Sequence, residues 1–353
     1  MMSPVQQQPK KYLHLLLNDW DSGYSIYRVG DEDFNMDTDM EAPRAAASLL
    51  IRIVAQHGYS WSFVSHGTKI MAMNPAVSSP GIPVFDTKTL AMTVCPRPLS
   101  GDCGSKPLYA SVGDRLLAFV YPFLEVLGPE PPHTEESWSW TRGIDDEPMP
   151  PFNSSRVSSY AVHPDGRTIF VSVKCYKLNP GLCPPYGDRS STFTFDMESH
   201  EWTHIGDWIL PFRGRAYYDH ELDAWVGLFS YKGKTGHGHV CCCDVPPAAT
   251  GSMTTMPVWK LGVERFFDDS SERHLGATLV YMDNSRFCLV ESVMPKDDDF
   301  YPRLRVVKMT SFMLKYGKEG ELRVSGRCTY ASMAYRIPHK HMDVELNPVA
   351  FWM

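Results

Sequence analysis

A weak internal repeat of about 50–60 residues, running from Tyr59 to the end of the chain, is the feature that most constrains the fold. Each copy contains two apolar runs joined by a tight turn, a third run that ends near an acidic residue, and a fourth that carries Trp. The tight turns fall at residues 66–69, 112–115, 164–167, 221–223 and 283–286. A period of this length is typical of the blades of a β-propeller.

Short runs of β-branched and aromatic residues, bounded by Gly, Pro, Asp and Asn, predict four strands in each repeat. The predicted strands are 60–65, 69–73, 82–86 and 92–95 in the first unit, 108–112, 115–120, 123–127 and 138–142 in the second, 159–163, 168–174, 192–196 and 201–205 in the third, 215–219, 224–231, 238–244 and 257–261 in the fourth, and 275–282, 286–294, 304–314 and 322–328 in the fifth. Two marks support this alignment. Phe-Asp pairs at residues 85–86 and 195–196 end third strands, and Trp140, Trp202 and Trp259 lie in successive fourth strands.

The two ends of the chain supply a sixth unit. Predicted strands at 12–17, 24–29 and 49–54 have no first partner, and residues 348–353 form an apolar strand at the C-terminus. Closing a ring removes the exposed sheet edges that promote aggregation. We therefore predict an all-β fold, a six-bladed propeller closed by the C-terminal strand, with five or seven blades as the nearest alternatives. Residues 12–353 are expected to form one domain and residues 1–11 a disordered tail, while residues 43–50 could form a short helix.

Composition limits the partners and the compartment. The net charge of −7 gives no reason to expect a nucleic-acid partner. Nine cysteines, an odd number without framework spacing, favour a reducing compartment over a disulfide scaffold. Neither a signal peptide nor a membrane span fits the N-terminal residues. We expect a monomer in the cytoplasm or nucleus, with no membrane partner.

The sharpest cluster of reactive side chains is the run from His237 to Asp244, which contains two His and three consecutive Cys. Zinc requires ligands that converge tetrahedrally, whereas residues along one strand are spread over about 20 Å, so one strand could supply two ligands at most. Neither His339 with His341 nor the acidic run 297–299 completes a metal site. Nucleophile-elbow and phosphate-loop motifs are absent from the sequence. No cofactor and no catalytic residue is predicted.

A basic ring is predicted at one mouth of the propeller channel, where connections lead from the outer strand of one blade to the inner strand of the next. These connections carry Lys106, Arg156, Arg213, Arg215, Arg273 and His274, and His57 lies at the first of them. Arg binds carboxylates and phosphates through two parallel hydrogen bonds, so this mouth could bind an acidic peptide or a small anionic ligand. In the alternative, these side chains pair with local acids such as Glu272 or Asp219.

Several segments resemble a large plant family that is expanded in grasses and known only as a domain of unknown function. The segments are 24–27 (YSIY), 83–87 (PVFDT), 159–169 (SYAVHPDGRTI), 210–218 (LPFRGRAYY), 274–280 (HLGATLV) and 348–353 (PVAFWM). The resemblance covers nearly the whole chain. It implies a cytosolic or nuclear plant protein, and it brings neither an activity nor catalytic residues.

Residues 195–202 (FDMESHEW) are similar to the strand–turn–Trp pattern of kelch repeats, although the paired glycines of that repeat are missing. The expected propeller is therefore kelch-like. About eleven residues precede the first predicted strand, so we expect no F-box in this chain. The expected role is a non-enzymatic binding or scaffold protein that presents one channel mouth to a protein partner or an anionic ligand. The alternative is a propeller enzyme, such as a metal-dependent oxidase or hydrolase, with its site at that mouth.

Overall fold

Strands account for almost all of the regular structure in a computed structural model of the chain. The structure describes residues 10–35, 47–54, 61–73, 81–100, 107–120, 122–130, 138–142, 149–174, 190–230, 237–248, 254–268, 270–295, 304–337 and 347–353. These residues contain 24 strands and two short 3-10 helices, Asp31–Asn35 and Ser154–Arg156. No helix within these ranges is long and apolar enough to cross a membrane.

The strands group into six units of four antiparallel neighbours. Strands β1 (Leu13–Trp20), β2 (Gly23–Val29) and β3 (Ser48–Val54) come first in the chain. The first unit contains β4 (Ser62–His66), β5 (Lys69–Met73), β6 (Gly81–Asp86) and β7 (Met92–Pro96), and the second contains β8 (Leu108–Val112), β9 (Arg115–Val120), β10 (Phe123–Leu127) and β11 (Trp140–Arg142). The third contains β12 (Val157–Val162), β13 (Thr168–Val173), β14 (Ser191–Asp196) and β15 (Glu201–Gly206), and the fourth contains β16 (Gly214–Asp219), β17 (Ala224–Leu228), β18 (His239–Cys243) and β19 (Trp259–Arg265). The fifth contains β20 (His274–Tyr281), β21 (Arg286–Val293), β22 (Leu304–Tyr316) and β23 (Leu322–Arg336), and β24 (Val349–Trp352) ends the chain.

The predicted turns between first and second strands are confirmed at all five positions. Gly67, Gly113 and Gly166 have φ values of +57°, +56° and +74° in three of these turns. Only glycine adopts this left-handed conformation without a steric cost, so these residues fix where each hairpin reverses.

Aspartates at the ends of third strands explain why the Phe-Asp pairs repeat. The Asp86 carboxylate accepts hydrogen bonds from the backbone N–H groups of Lys88 (2.8 Å) and Thr89 (3.1 Å). Asp196 accepts the equivalent bonds from the N–H groups of Glu198 (2.7 Å) and Ser199 (3.2 Å). A carboxylate that caps the backbone two and three residues later stabilises a tight reversal of the chain. The same device therefore starts the turn into the fourth strand in both units.

The sixth unit forms as predicted from the two ends of the chain, in the order β24-β1-β2-β3. Strand β24 pairs antiparallel with β1, with Trp352 opposite Leu13 and Val349 opposite Leu16. Two further backbone hydrogen bonds join Tyr12 to Met353, at 2.7 and 3.0 Å. The last residues of the chain are thus an integral strand of a sheet.

Parallel contacts link three of the units into one 12-stranded sheet. Strand β12 pairs with β16, the first strand of the next unit, and β19 pairs with β23 at the single position Gly262–Leu322. The first strands of the third and fourth units therefore lie side by side.

Six buried apolar clusters hold the units together, and each cluster contains residues of two units. They join the sixth and first units (Ile26 with Ile70), the first and second (Met71 with Leu116), the second and third (Phe119 with Phe193), the third and fourth (Phe170 with Trp225), the fourth and fifth (Val226 with Phe287) and the fifth and sixth (Val290 with Leu15). Each sheet therefore buries apolar side chains on both faces, as expected for stacked sheets that alternate side chains between their faces.

The structure describes only part of two predicted N-terminal features, the short helix at residues 43–50 and the tail at residues 1–11. Ser48–Val54 forms β3, so the end of the helix considered for residues 43–50 is a strand, and residues 43–46 are outside the described part. Residues 1–9 of the predicted tail are likewise outside it. Its last two residues form ion pairs, Lys10 with Glu32 at 3.0 Å and Lys11 with Asp283 at 2.5 Å.

His14 makes the stability of the fold dependent on pH. It lies on β1 with 1% of its surface exposed, and burial lowers the pKa of its imidazole from 6.5 to about 4. Because the folded pKa is depressed, the unfolded chain takes up a proton first as the pH falls. The stability present above pH 6.5 is therefore lost as the pH approaches 4, and the loss at pH 5 is about 2 kcal/mol.

A His14→Gln variant isolates this contribution. Between pH 7 and pH 5 we expect the wild type to lose about 2 kcal/mol more unfolding free energy than the variant, measured by urea denaturation at both pH values. Equal losses in the two proteins would contradict a neutral, buried imidazole.

Candidate functional site

A pocket of about 240 Å³ lies at one end of the third, fourth and fifth units. Its described lining comes from the connections before β12, β16 and β20, the ends of β13 and β17, and the connection before β18. Antiparallel neighbours place the starts of first strands and the ends of second strands at the same end of a sheet. The pocket is therefore at the opposite end of these units from the tight turns.

Three of the six predicted ring residues, Arg156, Arg213 and His274, line this pocket. They belong to three different units and reach it because each lies immediately before or at the start of a first strand. Lys106 lies outside the described residues, and so does His57.

The third unit places two cationic residues side by side. Asn153 caps the short 3-10 helix before β12 by accepting a hydrogen bond from the N–H of Ser155 at 3.0 Å. This turn brings Arg156 to the start of β12, where its carbonyl oxygen accepts a bond from the N–H of Lys174 at 3.0 Å. Arg156 and Lys174 therefore enter the pocket from adjacent backbone positions.

The fourth unit contributes Arg213, which lines the pocket from the connection before β16. Its backbone N–H donates to the carbonyl of Leu228 at 2.9 Å, which ties it to the end of β17. Gly214 follows with φ +71°, so the chain turns sharply into β16. The Arg213 side chain is exposed and forms no ion pair with any side chain that the structure describes.

The fifth unit contributes an oriented imidazole. The His274 Nδ1 atom lies 2.9 Å from a carboxylate oxygen of Glu291, and only 5% of the His274 side chain is exposed. The ring stacks on Phe267 with centroids 4.4 Å apart and planes 2° from parallel. Carboxylate and aromatic ring together fix the orientation of this imidazole.

Gly238 allows the pairing of β18 with β19 to continue to the pocket. It has φ +87°, and a Cβ atom at this position would overlap the carbonyl oxygen of Phe267. The N–H of Phe266 donates to the Gly238 carbonyl at 2.8 Å. This close backbone approach brings Phe267, which follows β19, to the pocket beside Gly238.

Two predicted ring residues, Arg215 and Arg273, are not among the described lining residues. Arg215 lies within β16, and its guanidinium carbon is 4.7 Å from the centre of the Tyr217 ring. Its Nε atom is buried with no partner among the described residues. The main-chain carbonyl of Arg273 accepts a bond from Met294 at 2.9 Å. The described residues thus bring three of the six predicted residues to one pocket, and the basic ring itself stays a prediction.

Asp219, considered as a local partner for the arginines, is engaged elsewhere. It is fully buried at the far end of β16, where its carboxylate accepts bonds from the Ser285 N–H at 2.9 Å and the Ser285 hydroxyl at 2.7 Å. Asp219 thus ties the turn of the fourth unit to that of the fifth and does not neutralise Arg213. Among the described lining residues there is no Asp or Glu, and the lining residue His274 contacts the Glu291 carboxylate at 2.9 Å.

Sequence reasoning missed Lys174, His237, Phe229 and Phe267. The first three belong to connections between second and third strands, which emerge at the same end of a sheet as the connections that formed the predicted ring. Counting both types of connection would have found Lys174 and His237. Nothing in the sequence pairs Phe267 with His274.

The cysteine strand does not form a metal site within the described residues. Cys241 and Cys243 pack toward the third unit and Cys242 toward the fifth, all three at most 2% exposed. Burial raises the pKa of all three thiols, so they stay protonated at neutral pH and pack as small apolar side chains. Where the chain is described, no group of three or more His, Cys, Asp or Glu could hold a metal. Residues 297–299, His339 and His341 lie outside that part.

These elements define an all-β protein of propeller-like fold with a basic pocket at one end of three of its sheets. The chain belongs to DUF1668, a family described as a protein of unknown function, whose model matches residues 10–329. No curated protein sequence matches the chain.

Solved structures that superpose on this chain share little sequence identity with it. A chain of a nidogen/laminin complex has a TM-score of 0.46 and 11% identity, with 96% of this chain and 98% of that one covered. A putative 6-phosphogluconolactonase from Bacteroides fragilis has a TM-score of 0.45 and 11% identity, covering 93% and 83%. A putative TolB from Agrobacterium tumefaciens has a TM-score of 0.43 and 8% identity, covering 98% of both chains. Similarity at this level carries no information about function.

Proposed function

We propose that the six units are the blades of a kelch-like six-bladed propeller closed by β24. The support is that the six apolar clusters link the units in a cycle, sixth to first and fifth to sixth included. Neighbouring first strands also touch near the axis of such a ring. His66 Nδ1 lies 2.8 Å from the Ser111 hydroxyl, and the Thr278 hydroxyl donates to the Pro348 carbonyl at 2.6 Å.

Within this architecture, we propose that the protein is a non-enzymatic binding module that recognises an anionic group in the pocket of the third, fourth and fifth units. The observation that carries the proposal is the exposed Arg213, which lines the pocket and pairs with no carboxylate that the structure describes. An exposed guanidinium in a pocket attracts an anion, even in a protein whose net charge is −7. The cytosolic or nuclear compartment, the plant origin, the monomeric state and a protein partner stay predictions.

An Arg213→Glu variant tests the proposed site. Acetate, inorganic phosphate and 2-naphthoate are each titrated into the wild type while the melting temperature is followed. A ligand at a hundred times its Kd stabilises the folded state by about 2.7 kcal/mol. We expect at least one of these anions to raise the melting temperature of the wild type, and none to raise that of Arg213→Glu.

Arg167→Glu is the matched control, since Arg167 lies in the tight turn at the opposite end of the third unit. It makes the same change in net charge, and its ion pairs are half exposed and thus weak. This variant should keep the wild-type response. A response that survives in Arg213→Glu, or that no anion produces in the wild type, would refute the proposed site.

A further inference from the structure

Arg215 is a partly buried cation that has no counter-ion in the described part of the chain. It lies near the start of β16, and its guanidinium carbon is 4.7 Å from the centre of the Tyr217 ring. Its Nε atom is buried and has no hydrogen-bond acceptor among the described residues. A buried donor without an acceptor destabilises a fold, and the cost is larger when the donor is charged. An acceptor from outside the described chain would remove that cost.

The contact with Tyr217 leaves the edge of the Arg215 guanidinium free to donate. The guanidinium is planar and its N–H donors lie in its plane, whereas the ring contact covers one of its faces. On one edge of the plane, the Nε–H group and one Nη–H group point in the same direction, a spacing that matches the two oxygens of a carboxylate. The unpartnered Nε atom lies on this edge, so the free donors fit a planar oxyanion.

Tyr160 supplies a further donor on the same side. Strands β12 and β16 pair in parallel with Tyr160 directly opposite Arg215, so the two side chains lie on one face. The next pair, Ala161 and Ala216, packs into the buried cluster between the third and fourth units. Tyr160 and Arg215 therefore lie on the face opposite to this cluster.

The Tyr160 hydroxyl is a donor at neutral pH. Burial raises its pKa, and the nearby positive charge of Arg215 lowers it by less. The hydroxyl forms no hydrogen bond with the part of the chain that the structure describes. A protonated hydroxyl thus lies beside a guanidinium edge that lacks an acceptor.

The acid on the same face of β16 is engaged elsewhere. Asp219 lies four residues beyond Arg215, about 13 Å along the strand, and its carboxylate accepts two hydrogen bonds from Ser285, at 2.9 and 2.7 Å. One guanidinium balances one negative charge, so a monoanion fits better than a dianion such as phosphate. The partial burial of Tyr160 and Arg215 favours a small one.

We propose that Arg215 and Tyr160 form a second anion site, for a small monocarboxylate, on the face of β12 and β16 opposite to the third–fourth cluster. The carboxylate accepts two hydrogen bonds from the Nε edge of Arg215 and one from the Tyr160 hydroxyl. Neither residue lines the pocket that contains Arg213, so this site goes beyond the proposed function. In the proposed propeller, the face lines the central channel.

The Nε–H resonance of Arg215 in proton–nitrogen NMR spectra tests this site, with acetate and chloride as probes. Isotope-labelled arginine makes it visible, and its loss in Arg215→Lys, or its contacts with the Tyr217 ring should that variant not fold, assigns it. Acetate should shift the resonance saturably and bind at least about tenfold more tightly than chloride, because chloride cannot accept two parallel bonds. Tyr160→Phe should weaken acetate about tenfold, the loss of one charge-assisted hydrogen bond.

Two controls separate this site from the pocket. Tyr218→Phe removes a hydroxyl that donates to Asp223 at 2.7 Å, and it should leave acetate affinity at Arg215 unchanged. Arg213→Gln should change that affinity by less than about twofold, because it adds no charge of its own. Arg213→Glu is unsuitable here, since its carboxylate two residues away repels an anion at Arg215 as well as in the pocket.

The outcomes distinguish the two anion sites. A resonance that no anion shifts, an acetate affinity no higher than that of chloride, or an equal affinity in Tyr160→Phe overturns the second site. Loss of the Arg215 shift in Arg213→Gln assigns the anion to the pocket and overturns the second site alone. A saturable shift at Arg215 that persists in Arg213→Gln and weakens in Tyr160→Phe supports it, whatever the pocket binds.

Discussion

A chain that ends at Pro348 is expected to lose its cooperative unfolding transition. The deletion removes β24, whose side chains enter both clusters that flank the sixth unit: Ala350 and Trp352 pack toward the fifth unit, and Val349, Phe351 and Met353 toward the first. It also removes the backbone pairing with β1 and the two bonds between Tyr12 and Met353. Burial of these side chains is worth roughly 5 kcal/mol or more, close to the whole stability of a typical domain.

Thermal and urea unfolding of the truncated protein measure the effect, and an excess of a synthetic peptide of residues 347–353 should restore the transition. Deletion of residues 1–9 is the control, since the sequence predicts a disordered tail there and the transition should persist. A truncated protein that melts like the full chain would show that β24 does not close the fold.

Glu125→Ala is expected to destabilise the protein by about 3 kcal/mol or more, because a fully buried carboxylate organises the start of the second unit. Glu125 on β10 accepts hydrogen bonds from the backbone N–H groups of Leu99 at 2.5 Å and Ser100 at 2.6 Å, and from the Ser100 hydroxyl. Arg142 on β11 completes the network at 3.2 Å, with its guanidinium 3.9 Å from the centre of the Phe123 ring. Without the carboxylate, the two N–H groups lose their acceptor inside the protein.

Urea denaturation of the wild type and of Glu125→Ala measures the loss of unfolding free energy. Glu198→Ala is the matched control: this carboxylate pairs with Arg167, but 74% of its side chain is exposed, so at most about 1 kcal/mol is expected. Glu125→Gln, which keeps one oxygen acceptor, should fall between the two. Equal effects of Glu125→Ala and Glu198→Ala would mean that the buried network does not hold this connection.

The strand pattern could be predicted from sequence because local chemistry determines it. Gly67, Gly113 and Gly166 mark hairpins that need a left-handed residue, and Asp86 and Asp196 cap the next turn. Strands such as β8, β9 and β10 begin and end at the predicted residues. Strand β23 runs to Arg336, well past the predicted end at residue 328, because it pairs along the whole of β22, a long-range contact that local sequence does not encode.

Part of the pocket lining could also be predicted from the sequence. Arg156, Arg213 and His274 precede first strands, so strand direction alone brings them to one end of the molecule. Arg215 lies two residues beyond Arg213, which is enough to move it inside β16 and against Tyr217. The contacts of His274 with the Glu291 carboxylate and the Phe267 ring join β20, β21 and the connection after β19. They depend on tertiary packing, which the local sequence does not encode.

Chemical protection of Arg213 tests the anion site most directly. Phenylglyoxal modifies exposed arginines, and mass spectrometry reads the rate at each residue with and without 2-naphthoate at ten times its Kd. We expect the ligand to slow modification of Arg213 about tenfold and to leave that of Arg167, in the turn at the opposite end of the third unit, unchanged. An Arg213 that reacts equally fast with and without the anion would contradict the anion site.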